Sequence, residues 1–579
     1  MTTSFSLRGG RVYDPANGVD GVRQDLHVQA GRLVGSGAGA PAVLPGSAPG
    51  SAPAAAGDID VSGMVVMAGG IDMHTHIGGG KVNLARILLP EFHRDAAVGG
   101  EGATAVQGAK AATWAHGAAC TPSTLATGHR YAEMGYTTAF EPAMMASNAR
   151  QAHLEMGDTP ILDHGAYVMM GNDDLLLHML ATGTDFERIR DYVGWTVNAS
   201  KAMGVKVVNP GGISAFKFNQ RQLDVDDEHV HYRVTPRQVL RTLTRALTEL
   251  RIPHPLHIHA SNLGVPGNVS STLATIDAVE GLRAHLTHIQ FHSYGREGPR
   301  KFSSGALQIA EAVNAHPNIS IDVGQIIFGQ TVTASADTMA QARTADLAHP
   351  RKWIGADIEC DAGCGIVPFR YREQSYVNAL QWAIGLEIFL LIDNPWQVAL
   401  TTDHPNGGPF TSYPHLIRLL MDKTFRDEKL AALHPEVAAH SNLGAIRREL
   451  TLQEVAIVTR AAPARLLGLA DRGHLGEGAA ADIAVYREDP DREYMFATPE
   501  YVFKDGLLVA RKGVVVAQPV GGVHFVAPEH VAGIESFVAD YADRHLTVSA
   551  ADAWIGSDEL ATCCLGGRLM PTQVSAQGT

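Results

Sequence analysis

Two histidines one residue apart, His74 and His76, close the apolar run Met64-Val65-Val66-Met67-Ala68-Gly69-Gly70-Ile71-Asp72-Met73. Residues two apart in a strand share a face, so both imidazoles can aim at one point beyond its C-terminal end, an arrangement suited to a metal. The run predicts one buried strand ending in His-x-His. Lys206 lies inside a second apolar run, Val205-Lys206-Val207-Val208. A charged amine there is costly unless a carboxylate pairs with it or it is chemically altered. Carbamylated by carbon dioxide, it becomes an anionic oxygen ligand able to bridge two metals. His257 and His259 share a strand face, and His259, nearer the C-terminal end, is the candidate ligand, leaving His257 as a core histidine. Among His285, His288 and His292, His288 ends the apolar run and is the better ligand; His292 reads as a neighbour of the ligands, a substrate contact or an exposed loop histidine. Asp403 ends Val398-Ala399-Leu400-Thr401-Thr402 ahead of His404-Pro405-Asn406-Gly407. A carboxylate there can bind metal and take a proton from water whose pKa the metal has lowered. It can equally start a turn.

These residues need strand ends that converge. Strand-like runs recur at residues 136–142, 161–168, 205–210, 254–260, 285–290, 319–324 and 398–403, with helical patterns such as Pro236–Leu247 between many of them. With the run before His74 they make eight, which predicts an α/β protein built on a (β/α)8 TIM-like barrel. Turn-separated strands before residue 64 and between 473 and 510 should pair into one small split β-sandwich domain made by both ends of the chain. The expected division is 1–64 for its N-terminal half, 65–465 for the metal-dependent barrel with long loop insertions, 466–525 for its C-terminal half, and 526–579 for a helical tail. Residues at about 35–57 are too poor in large apolar side chains to pack and read as a mobile loop. The long stretch at about 77–130 has few strand signals and reads as a connection that builds the site or covers it.

At 579 residues the chain is long enough for a large barrel and a second module. Its formal net charge of −14 speaks against nucleic acid as the main partner, though not against an acidic small substrate met by a local basic pocket. Five cysteines without a paired framework suit a reducing cytoplasm. Neither a signal peptide nor an apolar run of membrane-spanning length is present, so no membrane partner is expected. Cys360 and Cys364 would leave a tetrahedral site half filled and read as buried thiols.

The combination of His-x-His, strand-four lysine, strand-five and strand-six histidines and strand-eight aspartate resembles the amidohydrolase superfamily over about residues 5–520. Longer motifs resemble one branch of it: residues 74–83 with His74-Thr75-His76-Ile77-Gly78-Gly79-Gly80-Lys81-Val82-Asn83, residues 205–212, Asn262-Leu263-Gly264-Val265-Pro266-Gly267-Asn268, and residues 287–295. They look like the A subunits of formylmethanofuran dehydrogenases and the α subunits of bacterial formyltransferase/hydrolase complexes. The arginine-rich, lysine-poor composition favours the bacterial side.

That resemblance implies a site in which His74, His76, Lys206, His259, His288 and Asp403 hold two zinc ions bridged by carboxylated Lys206, with Asp403 also catalytic. It implies hydrolysis of the N-formyl amide of a formylated furan cofactor, methanofuran or a bacterial analogue, to formate and free amine within one-carbon oxidation. Partners would be a formyltransferase and further subunits. Lys81, Asn262 and His292 are the expected substrate contacts, Lys81 meeting the carboxylates of a polyglutamylated tail. Two other readings share the scaffold: a cyclic amidase of hydantoinase or dihydroorotase type, and a metal-free scaffold subunit.

Overall fold

A computed structural model describes residues 4–35, 57–90, 120–358, 362–563 and 567–574. The expected mobile loop lies almost wholly outside these residues, as do the middle of the connection after His76, Cys360 and Cys564.

Eight parallel strands form the core: Gly70–Asp72, Tyr136–Met144, Asp163–Met169, Gly204–Val208, Leu256–His259, Ala284–Leu286, Ile319–Asp322 and Val398–Ala399. Each pairs with the next. The ring closes where Thr75 bridges His404 and the His76 N–H donates to the His404 carbonyl at 2.8 Å. The expected (β/α)8 barrel is therefore present, and its second to eighth strands lie on the runs that predict them. Helices between the strands bury one stripe each. In Pro236–Glu249, a capping box between Thr235 and Gln238 and a proline in the first turn start the helix, and Val239, Leu240, Leu243, Ala246 and Leu247 face the core.

The first strand differs from expectation. The run from Met64 to His76 is two strands in two sheets, not one. Met64–Ala68 pairs antiparallel with Ile483–Arg487 and parallel with Ser4–Asp14, so it belongs to the small domain; only from Gly70 does the chain enter the barrel. The crossing passes so close to the second barrel strand that a Cβ on Gly69 would sit 2.3 Å from Thr137 Oγ1 and one on Gly70 2.5 Å from Tyr136 Cγ. Both sheets bury apolar residues, so hydrophobicity alone does not mark the change.

The small domain unites both ends of the chain in one mixed sheet. Ser4–Asp14, Val19–Gln29, Arg32–Val34, Gly57–Asp60 and Met64–Ala68 join Ile483–Arg487, Tyr501–Lys504, Leu507–Arg511 and Val514–Val515. Phe5 stacks on Phe503 with ring centroids 4.7 Å apart, fastening the N-terminal half to the C-terminal half. Val523–Phe525, expected in this domain, instead pairs in parallel with the third barrel strand. The tail has the expected helical stretches, Ile534–His545 and Ser557–Cys563, but also Leu569–Pro571, a strand that pairs with Val523–Phe525.

Between the seventh and eighth barrel strands stands an antiparallel three-stranded sheet, Gly329–Ser335, Ile354–Ile358 and Ala362–Tyr371, which overhangs the C-terminal end of the barrel. No described helix is long and apolar enough to cross a membrane.

Candidate metal centre

The barrel strands deliver their chemistry by period-two alternation. His74 and His76 follow Asp72 on one face; Lys206 shares a face with Val208, His257 with His259, His285 with Thr287, and Ser320 with Asp322. Most of these side chains are almost fully buried. His288 escapes the alternation because its backbone is left-handed, φ 36°, just after the sixth strand. Gly324 makes room for it: a Cβ there would lie 2.4 Å from the His288 Cβ.

Two groups of ligand-type atoms result. In the first, His74 Nε2 lies 2.9 Å from Asp403 Oδ1 and 3.5 Å from Lys206 Nζ, and His76 Nε2 lies 3.4 Å from the same Asp403 oxygen. In the second, His259, His288 and His292 pack with ring centroids 4.6 to 5.3 Å apart. Within each of the triads His74/His76/Asp403 and His259/His288/His292, candidate ligand atoms fall within 4.8 Å of one another. In the second triad His288 Nδ1 and both ring nitrogens of His292 are buried without a well-formed hydrogen bond to the described residues. Buried polar atoms ordinarily find partners, so this donor set fits a bound cation. His74, His257 and Asp322 also approach one another. There, however, His74 Nδ1 and His257 Nε2 are only 2.8 Å apart. Nitrogens sharing one tetrahedral ion at zinc–nitrogen distances would be held about 3.3 Å apart, so this contact is a hydrogen bond.

Electrostatics favour neutral imidazoles and a reactive amine. Burial lowers the pKa of His259, against the pull of Asp337, and holds His288 and His292 well below the usual histidine range. Burial pushes Lys206 down to about 8, although Asp403 and Asp322 oppose it. Burial alone would raise the Asp403 carboxyl, but His74 and His288 overcome it and keep the group ionised.

Carboxylates behind the histidines fix the rings. Glu141 Oε1 lies 2.8 Å from His76 Nδ1 while Oε2 accepts from the Ile77 and Gly78 amides. Asp337 Oδ2 lies 3.2 Å from His259 Nε2, and Asp322 accepts from the His288 amide at 2.7 Å. Such partners orient a ligating imidazole and raise its basicity. None of the three stood out in the sequence. Glu141 and Asp322 near the ends of barrel strands were legible in principle, whereas Asp337 caps a short helix in the insertion and has no local signal.

A cleft of about 780 Å³ opens above the centre, and His76, Lys206, His259, His288 and Asp403 line its floor. Arg300, Arg343, Arg351, Arg370 and Arg372 line it further out, and none of the five is ion-paired with a carboxylate of the described residues. The expected substrate contacts are placed elsewhere. Lys81 is buried at the start of the helix Gly80–Leu88, 3.8 Å from Met169 Sδ, and does not line the cleft. Asn262 gives its amide to Ser271 Oγ at 3.0 Å, bracing a loop. His292 is fully buried against His259 and His288, so neither an exposed loop position nor a cleft contact describes it. Of the cysteines, Cys364 is a buried free thiol, as is Cys120.

Comparison with known proteins agrees with this geometry. The amidohydrolase family model matches residues 58–516. The A chain of the formyltransferase/hydrolase complex Fhc of Methylorubrum extorquens is 43% identical over 549 residues, 92% of this chain and 93% of the relative. Protein FwdA of Methanocaldococcus jannaschii is 39% identical over 541 residues, 90% of each. A chain in the crystal structure of the Methylorubrum extorquens formyltransferase/hydrolase complex with methylofuran superposes with a TM-score of 0.89 at 40% identity, covering 98% of this chain and 100% of that one.

Proposed function

We propose that this chain, which belongs to the amidohydrolase family and is a metal-dependent hydrolase, cleaves the N-formyl amide of a formylated furan cofactor to formate and the free amine. The observation that carries the reading is the pairing of a buried histidine, lysine and aspartate floor with a cleft wall of five arginines that no described carboxylate pairs. The floor suits hydrolysis; the wall suits a substrate with several carboxylates, such as a polyglutamylated tail. Relatives whose names specify a formyltransferase/hydrolase complex and a structure containing methylofuran support the choice of cofactor.

In this reading two zinc ions are held by His74, His76, His259, His288, Asp403 and a carboxylated Lys206, with His292 beside the second group. When bound, such ions supply Lewis acidity that activates water near neutral pH and polarises a carbonyl oxygen. The chain's own residues do the rest. The depressed pKa of Lys206 leaves free amine able to take up carbon dioxide. Asn406 holds Asp403 Oδ1 at 2.9 Å, leaving Oδ2 to take a proton from the attacking water and return it to the leaving nitrogen. Water oxygen joins the formyl carbon, the C–N bond breaks, and the amine departs with that proton. The cleft arginines orient the acidic tail. The chain works in the cytoplasm with a formyltransferase and further subunits, the role named for its Methylorubrum relative.

Metal content by plasma mass spectrometry tests the reading, with wild type compared to Lys206→Ala, alongside formate release from the formylated cofactor, hydantoin and dihydroorotate. Near two zinc per chain, lost in the variant, with formate released only from the linear formamide, is expected. Metal-free wild type would leave a scaffold subunit; ring opening of hydantoin would make it a cyclic amidase.

A further inference from the structure

We infer that His257 and His254 are positioning residues for His74, forming an imidazole chain that dictates which ring nitrogen of His74 carries its proton. The inference rests on the proposed role of His74 Nε2 as a metal ligand. Barrel interiors are usually filled by layers of branched apolar side chains. Here His254, His257 and His285 occupy that space with Thr287 and Asp322, all fully buried.

The chain is continuous. His74 Nδ1 lies 2.8 Å from His257 Nε2, His257 Nδ1 lies 3.0 Å from His254 Nε2, and His254 Nδ1 lies 3.2 Å from the Leu466 carbonyl. Tyr167 packs against both His254 and His257 with centroids 4.7 Å away, holding their planes. A neutral imidazole has one N–H and one lone pair, so the two ends decide the whole. The Leu466 carbonyl can only accept, which puts the His254 proton on Nδ1. His254 Nε2 must then accept from His257 Nδ1, and His257 Nε2 must accept from His74 Nδ1. That leaves the His74 Nε2 lone pair facing Asp403 and Lys206, where a metal needs it.

Side contacts agree in direction. Thr287 Oγ1 donates to Asp322 Oδ2 at 2.7 Å, so its remaining lone pair faces His74 Nδ1, and Asp322 Oδ2 itself lies 3.3 Å away as a further acceptor. Running the chain the other way would put a lone pair against the Leu466 carbonyl and a proton on the metal-facing nitrogen. Leu466 lies at the end of the helix Ala462–Leu467, where a carbonyl is free of intrahelical bonds. The far end of the barrel thereby sets the state of a ligand at the near end.

Removing the acceptor at 254 strands the His257 Nδ1 proton. Its ring then favours the other tautomer and turns an N–H against that of His74. Zinc affinity by chelator competition is the test, on wild type, His254→Leu and His254→Gln, with circular dichroism to confirm folding. His254→Leu should weaken one of the two zinc ions by about ten- to a hundredfold. His254→Gln, whose amide can accept from His257 and donate to Leu466, should stay within about threefold, a rescue that packing alone does not explain. Two zinc in wild type with unchanged affinity in His254→Leu overturns the inference. Wild type without zinc overturns the metal reading and this inference with it. Should His254→Leu not fold, nitrogen-15 spectra of histidine-labelled wild type decide: Nδ1–H tautomers at 254 and 257 uphold the chain, and an Nε2–H tautomer at either overturns it.

Discussion

Two clusters of buried charge lie at opposite ends of the barrel, and they are built on opposite terms. At the N-terminal end, Asp163, Asp482 and Asp505 surround Lys504 and Arg472: Lys504 Nζ lies 2.9 Å from Asp163 and Asp505 and 3.1 Å from Asp482, and Arg472 reaches the same three carboxylates at 2.9 to 3.3 Å. Every charge meets its opposite, and the cluster joins the small domain to the third barrel strand. At the C-terminal end, Lys206, one carboxylate and five imidazoles crowd together, with ring nitrogens that make no well-formed hydrogen bond to the described residues. A satisfied network can hold a fold; an unsatisfied one needs something more, and in a cleft that something is a ligand.

The strongest way to break this contrast is Asp403→Asn. It should cut formate release by about 10²- to 10⁴-fold while leaving a cooperative thermal transition; equal losses of stability and rate would mean that both clusters are structural. Lys504→Met is the mirror experiment, leaving three buried carboxylates short of a cation. Destabilisation of about 3–5 kcal/mol is expected in urea unfolding, with zinc per folded chain unchanged.

Acid should separate the N-terminal cluster from its neutral neighbours. His153 and His164 are buried beside it, and burial pushes both down to about 4. Their folded values lie below the unfolded one of about 6.5, so their contribution is complete above that pH and is lost as pH falls toward 4. A loss on the order of 3 kcal/mol is expected across that window, reduced in His164→Leu relative to that variant's own neutral value. For Asp163, burial would raise the pKa, but Lys504 and Arg472 hold it well below the usual range. Its contribution is therefore present above about pH 4 and lost only below it. Unfolding curves recorded from pH 8 to 3 that first weaken below pH 4 would contradict this order. The smallest expected effect sharpens the C-terminal side: Glu141→Gln keeps an acceptor near His76 but removes its charge, and zinc affinity should fall by about tenfold, with stability in urea nearly unchanged.

Much of the centre was legible because strand periodicity is local. An apolar run with a histidine, lysine or aspartate near its C-terminal end places that residue at a barrel mouth whatever the rest of the chain does. His74, His76, Lys206, His259, His288 and Asp403 all emerge from such runs and meet in the structure. His292, Lys81 and Asn262 were harder because they follow strands rather than lie in them. The path of a loop depends on what it packs against, and His292 turns inward against His259 while Lys81 is buried beside Met169.

The sequence by itself determined the eight-strand alternation, the union of the two chain ends in one small sheet and the identity of the strand-end ligands, since each follows from the repeat of side chains along a few residues. Only the tertiary structure decided where the run from Met64 to His76 changes sheets, that the insertion between the seventh and eighth strands brings arginines over the centre, and that His254, His257 and His74 join into one chain of hydrogen bonds. Those outcomes depend on barrel closure, which brings His74 Nδ1 to 2.8 Å from His257 Nε2 while leaving no mark on the local pattern of either segment.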